Sequence, residues 1–323
     1  MAGFVVNIHF RDKTNIEEIS LFPKFLHSFI KTIKVKLIHF STFALTLKNL
    51  LMIKYLLIAA VIVLAACNGN EASTEETTPI ENKSMGIAAP QNITLNIIGI
   101  YPHDTSAYTQ GLEIYNGKMY ESTGDFETSS IRITDIKSGK VAHKHIMGTK
   151  EIFGEGITIF NNKIYQLTWK NNLVNVYDLN NIDKPVKTFT WPYEGWGITH
   201  TATDLIISDG SANLYFVNPD NFKIRTTVQV TDNAGPVDSI NELEMINGFV
   251  YANVYQSEFI VKIDPANGHV IGKIDLPGLK QQYFANQITG RTDVLNGIAY
   301  DSASKKIYIT GKRWPKMFEA IIN

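Results

Sequence analysis

Short apolar runs separated by polar turns recur along most of the chain, and no stretch keeps a 3.6-residue period long enough for a core helix. Five segments share one pattern: a polar or aromatic residue, usually a Gly, an aliphatic strand, a polar turn and a second strand. They are QGLEIYNGKMYESTG from Gln110, EGITIFNNKIYQLTW from Glu155, WGITHTATDLIISDG from Trp196, NELEMINGFVYANVY from Asn241 and NGIAYDSASKKIYITGK from Asn296. Their starts are 45, 41, 45 and 55 residues apart. Asn116-Gly117, Asn161-Asn162 and Asn247-Gly248 are two-residue hairpin signals. Further strands lie between the segments, as in SSIRITDIKSGKVAHKHI and EFIVKIDPANGHVIGKIDL. The composite unit is four antiparallel strands in about 46 residues, the size of a propeller blade. Five units predict an all-β, five-bladed β-propeller; a barrel or sandwich would not explain the matched positions. NITLNIIGIYP and MFEAII lack hairpin partners, and pairing them in one sheet would close the ring.

The repeat also says where chemistry would sit. Inner strands line a propeller's axis, so equivalent residues of all blades meet there. The residues that open the first apolar run are Gln110, Glu155, Trp196, Asn241 and Asn296. Fourteen residues on come Gly124, Trp169, Gly210 and Tyr255, and Lys312 is the counterpart in the last unit. An acid, a base, amides and aromatic walls would converge on one face, the make-up of a small-molecule or chain-end pocket. Taken alone, Glu155 would read as a channel plug; the set reads as a site.

Upstream of the repeats the chain changes character. MIKYLLIAAVIVLAAC, from Met52 to Cys67, has a short basic start, an apolar run and small residues before its Cys. It resembles a bacterial lipoprotein signal peptide, with Cys67 as the acylated residue; a plain signal peptide and a membrane anchor are the other readings. Residues 52–66 are then the signal peptide, and 67–91 a lipidated Cys and flexible polar tether. Residues 92–323 are the folded domain. Residues 1–51 are basic and apolar without globular pattern. They read as a spurious upstream extension, a true cytoplasmic extension being the weaker reading.

Composition narrows the function. A formal net charge of -1 gives no electrostatic reason to expect nucleic acid. The chain's one Cys excludes an internal disulfide and, if acylated, cannot be a nucleophile. The eight His are scattered without zinc-ligand spacing, and His103, Asp104 and His200 read as turn or surface residues. Asp209 and Asp264 sit in turns that could touch a cation, but the spacing matches no calcium loop. The expectation is no required cofactor or metal, with structural calcium admissible.

The strings YPHDTSAYTQGLEIYNGKMYESTG, FGEGITIFNNKIYQLTW, YEGWGIT, SDGSANLYF, NELEMINGFVYANVY, LNGIAY and TGKRWP resemble the plant and bacterial type of glutamine cyclotransferase, from about Ile97 to Phe318. The resemblance implies a five-bladed propeller that converts N-terminal glutamine of peptides or proteins to pyroglutamate with loss of ammonia. It implies Glu155 as the catalytic acid-base, Trp196 and Asn241 as pocket residues and Lys312 as an active-site lysine. Glu121 is a further candidate. Tyr255 stands where a plant member has Trp, and Gly124-Asp125-Phe126-Glu127 replaces the family's glycine-tyrosine-glycine string. For this reaction Glu155 would shuttle the proton, while Asn241, with Gln110 as helper, would bind amide groups. Trp169, Trp196 and Tyr255 would clamp the glutamine chain. Lys312 would either donate to the oxyanion or tune Glu155. The expected protein is a monomer, lipid-anchored to a bacterial membrane with its domain outside the cytoplasm. The competing class is a non-enzymatic propeller lipoprotein that binds peptide or glycan ends.

Overall fold

The computed structural model describes residues 86–147 and 149–323. Cys67, the expected signal peptide and most of the expected tether therefore lie outside the described residues. The folded part is a five-bladed β-propeller built of four-stranded antiparallel sheets. The first blade runs Thr109–Tyr115, Lys118–Thr123, Ser130–Thr134 and Val141–Ile146, and the second Gly154–Phe160, Lys163–Thr168, Leu173–Asp178 and Lys187–Thr190. The third runs Ile198–His200, Leu205–Ser208, Asn213–Val217 and Ile224–Gln229. The fourth is Ile240–Ile246, Phe249–Val254, Phe259–Ile263 and Val270–Asp275, with Gln91–Asn92 added parallel along its outer edge. The fifth takes Leu295–Asp301, Lys306–Gly311 and Lys316–Ile322 from the chain's end, and its outer strand, Leu95–Pro102, from upstream of the first blade. The two orphan strands thus pair antiparallel, from Leu95 opposite Ile322 to Pro102 opposite Lys316, and close the ring.

The three hairpin signals act through backbone chirality. Asn116 and Gly117, at φ 50° and 71°, Asn161 and Asn162, at 49° and 56°, and Asn247 and Gly248, at 51° and 86°, are left-handed pairs. Such turns match the right-handed strand twist, and Asn and Gly tolerate them best. The 55-residue interval before the last repeat holds an insertion, helix α1 (Leu279–Phe284) and the 3-10 turn Ala285–Gln287. Leu279 and Phe284 bury themselves against the fourth and fifth blades.

The core is divided among the five blade–blade interfaces. Ile131 and Ile164 join the first and second blades, Leu167 and Leu205 the second and third, and Ile206 and Val250 the third and fourth. Ile260 and Ile309 join the fourth and fifth, and Met317 and Leu112 the fifth and first. An inner strand is covered on both faces, so Gly154–Phe160 is buried throughout, while the outer strand Val141–Ile146 is mostly exposed.

Four inner strands share an irregularity. The pairing register slips between Thr109 and Gly111, Gly154 and Ile157, Ile240 and Leu243, and Leu295 and Ile298. Each slip is a bulge, which re-aims side chains, and the bulged stretches contain Gln110, Glu155, Asn241 and Asn296. Close backbone approach at the axis needs the Gly that usually follows: a Cβ on Gly156 would come 2.7 Å from the Trp196 carbonyl oxygen. The fourth blade has Glu242 there instead. Its carboxylate accepts the backbone N–H of Leu112 (3.2 Å) and of Ile298 (2.9 Å), tying the first and fifth blades together. Deeper along the axis Glu244 accepts the Tyr300 N–H at 2.7 Å, and Glu113 accepts the Thr158 hydroxyl at 3.0 Å.

Candidate active site

A cavity of about 250 Å³ opens at the bulged end of the inner strands. Tyr108, Gln110, Phe153, Glu155, Trp169, Trp196, Asn241, Tyr255 and Lys312 line it. Seven of these were singled out from the repeat: Gln110, Glu155, Trp169, Trp196, Asn241, Tyr255 and Lys312. The floor is polar and buried. Glu155 is 5% exposed, Lys312 and Gln110 3%, and Asn241 2%. Gln110 stands between acid and base: its Nε2 donates to Glu155 Oε1 at 3.2 Å, and its Oε1 accepts from Lys312 Nζ.

Burial pushes the Glu155 carboxyl well above the usual carboxylate range; the Lys312 charge opposes that shift and the Glu194 charge adds to it. Burial also pulls Lys312 down to about 8, against the attraction of Glu155 and Asp293. The Lys312 ammonium lies 4.7 Å from the Tyr108 ring centre and 5.6 Å from that of Tyr255, where the ring faces favour its charged form. Asn241 Oδ1 is buried with no hydrogen-bond partner among the described residues. A buried acceptor left bare in a cavity lining is a group poised for a ligand's N–H.

The walls form a nearly continuous aromatic ring. Tyr255 meets Trp196 edge-on at 5.5 Å, Phe153 meets Trp169 at 5.7 Å, and Tyr108 meets Phe153 at 6.0 Å. Lys312 spans the gap between Tyr108 and Tyr255, and Glu194 the gap between the two indoles, accepting from Trp169 Nε1 at 2.7 Å and Trp196 Nε1 at 3.0 Å. The Gly positions of the repeat make room for this ring. Gly210 has φ +81°, and a Cβ on it would come 2.6 Å from the Trp196 indole; Gly124 likewise leaves space for Phe153.

Two expected residues stand apart from the cavity lining. Asn296 lies behind Gln110, its Nδ2 donating to the Thr109 carbonyl at 3.0 Å and to Gln110 Oε1 at 3.4 Å, so it orients Gln110. Glu121 is on the first blade's second strand, where it accepts the Thr109 hydroxyl at 2.7 Å and faces His103 Nε2 at 3.0 Å. Burial would raise its pKa, but His103, Arg132 and the Thr109 hydroxyl hold it below the usual range. His103 is not a surface residue: it is buried against Glu121, with Nδ1 2.7 Å from the Trp314 carbonyl. His200 is partly buried, its Nδ1 2.9 Å from the Thr158 hydroxyl. Asp209 is engaged by Ser211 and Tyr215, and Asp264 by its own turn. Among the described residues, no group of three or more His, Cys, Asp or Glu is arranged to hold a metal ion.

Reading from the repeat missed Tyr108, Phe153 and Glu194. All three stand two residues before an opening position, in strings that look like loops. Their register was the available signal. The carbonyls of Tyr108, Phe153, Ser239 and Val294 accept the N–H of Gly124, Trp169, Tyr255 and Lys312, so this position recurs in four blades.

The glutamine cyclotransferase family model matches residues 60–322. A glutaminyl-peptide cyclotransferase of Arabidopsis thaliana is 39% identical over 228 residues, which is 70% of each chain. The crystal structure of Myxococcus xanthus glutaminyl cyclase superposes with a TM-score of 0.67 at 37% identity, covering 72% of this chain and 98% of that one.

Proposed function

This chain belongs to the glutamine cyclotransferase family, and on that premise we propose that the aromatic-walled cavity is where it turns N-terminal glutamine of peptides and proteins into pyroglutamate. Family membership sets aside the non-enzymatic reading. The observation that carries the assignment to this cavity is the buried Glu155 and Lys312, bridged by Gln110 on its floor.

The substrate's α-amine attacks its own side-chain carboxamide carbon. The new C–N bond closes a five-membered ring as the C–NH2 bond breaks. Two protons must leave the α-ammonium nitrogen and two must reach the departing nitrogen, which leaves as ammonium. Glu155 takes protons from the first and returns them to the second. Its raised pKa brings it closer to the ammonium it must deprotonate. The Trp169, Trp196 and Tyr255 walls fold the glutamine chain and exclude water, so most of the acceleration comes from placing the two ends together. Asn241 Oδ1 accepts an N–H of the substrate, and the charged Lys312 faces the developing oxyanion. Glu155→Gln keeps size and fold but removes the titrating group, so kcat drops about 100-fold to 10,000-fold. The assay is ammonia release from a glutaminyl peptide, corrected for spontaneous cyclisation. A folded variant of near wild-type rate would remove Glu155 from proton transfer.

The same proposal covers the upstream sequence. Residues 52–66 are a signal peptide, Cys67 carries the lipid and 67–91 tether the 92–323 domain outside a bacterial membrane. The motif around Cys67 supports this reading. The domain works as a monomer, without nucleic acid, and cyclisation exchanges no electrons, so no redox cofactor is required; a structural calcium ion is compatible with it. Intact-mass analysis of membrane-extracted protein is expected to find an acylated N-terminus at Cys67, and a soluble product retaining residues 1–66 would overturn the anchor.

A further inference from the structure

Glu194 does more than its neighbours in sequence require. Its Oε2 accepts both cavity indoles, Trp169 and Trp196, and its backbone carbonyl accepts Trp191 Nε1 at 3.2 Å. The chain has four Trp, so one residue takes the N–H of three. Its own position is fixed by the next residue: the Gly195 N–H bonds to the Thr168 and Trp169 carbonyls, and a Cβ there would come 2.7 Å from the Thr168 oxygen. Lys170 lies 3.5 Å from Glu194 Oε1, but the Lys170 side chain is exposed, so that pair adds little.

An indole wall without a bonded N–H can turn about its side-chain torsions and lose the plane a substrate packs on. A carboxylate oxygen shared by two indoles fixes both planes before substrate arrives, through charge-assisted bonds that are stronger than neutral ones. We propose that Glu194 is the positioning residue of this pocket, holding Trp169 and Trp196 as a preformed clamp and placing a second negative charge behind the indole walls of the cavity that holds Glu155. This rests on the reading that the cavity is the cyclisation site.

Two substitutions separate the two contributions. Glu194→Ala frees both indoles, so KM for a glutaminyl peptide rises about tenfold while kcat falls less, the pattern of lost ground-state binding. Tryptophan emission shifts on the same change, because two indoles lose an anionic partner. Glu194→Gln keeps an amide oxygen that can accept both N–H groups, so KM returns to within about threefold of wild type. It removes the charge that helps raise Glu155, so the acid limb of its pH–rate profile moves to lower pH. The backbone link to Trp191 survives in both variants, and thermal unfolding checks that both fold. Wild-type KM and emission in Glu194→Ala would overturn the clamp, and so would equal loss in both variants. An acid limb unmoved in Glu194→Gln would overturn the electrostatic part. Glu155→Gln, run alongside, tests the cavity itself: an inactive Glu155→Gln beside an unaltered Glu194→Ala sinks the clamp alone.

Discussion

Glu155 and Lys312 are displaced in opposite directions by the same burial. The carboxyl rises above its usual range and the ammonium falls to about 8, so both are drawn toward neutrality. On the proposed roles, the activity profile is expected to show an acid limb above ordinary carboxylate values, where Glu155 takes up a proton. An alkaline limb is expected near 8, where Lys312 loses the charge proposed to meet the oxyanion. Lys312→Arg keeps a charge that does not titrate, so in whatever activity remains the alkaline limb set by Lys312 disappears. Comparison at saturating substrate isolates the effect, because the substrate's α-amine, about 7.7–8.0 in free peptides, is common to both proteins. An identical alkaline limb in both would take Lys312 out of the profile. A smaller change tests the aromatic ring. Gly210→Ala puts a methyl against the Trp196 indole at a φ of +81°, and should cost about 1–3 kcal/mol in urea unfolding and lower kcat/KM severalfold. At this scale the sequence was informative where residues repeat. Gln110, Glu155 and Asn241 share the register that opens each repeat and Lys312 the one that closes it, and the two registers meet on one face. Glu121 does not: it sits on a second strand, where its side chain meets His103 and Thr109 instead of the cavity. Glu194 went unseen because its role depends on two indoles that meet only when two blades pack.

The recurring element is a bulged inner strand joined to its neighbour by a tight hairpin. Its turns were legible because left-handed pairs need Asn or Gly. The bulges were not, because the one extra residue each adds falls in an inner strand buried on both faces, where there is no in-and-out alternation to break. Helix α1 was hidden in the longest interval because six residues are too few to show a period. Turn chemistry can be tested apart from the site. Gly117→Val places a β-branched residue at φ 71° at the end opposite the bulge, so it should cost about 1–3 kcal/mol of stability with kcat/KM unchanged. Reduced kcat/KM in a folded variant would couple the hairpins to the pocket.

Over the whole molecule, the axis carries a line of buried carboxylates. Burial raises Glu242 and Glu244 well above the usual range, and Glu113 to about 7. The native state therefore holds protons that the unfolded chain has already released. Stability falls as pH rises through the window from about 4.3, the unfolded Glu value, past 7 for Glu113. The melting temperature should accordingly decline from pH 5 to 7.5, and Glu113→Gln should flatten part of that slope; a melting temperature that climbs over this range would contradict it. Ring closure has the widest reach. Leu95–Pro102 meets Lys316–Ile322 and nothing else completes the fifth blade. Deleting residues 316–323 also removes the fully buried Phe318 and Ala320, and should abolish cooperative unfolding. A ribosome delivers a chain in one direction. Leu95–Pro102 is made before any blade and must wait, its edge bare, while four blades form behind it. The last fold-determining contact spans over 200 residues of sequence and cannot begin until synthesis is nearly over, so folding is a slow, late event. During that wait the bare strand can be captured by the corresponding segment of another molecule, so crowding of chains whose ring is not yet closed is the condition under which this protein is most exposed to misassembly.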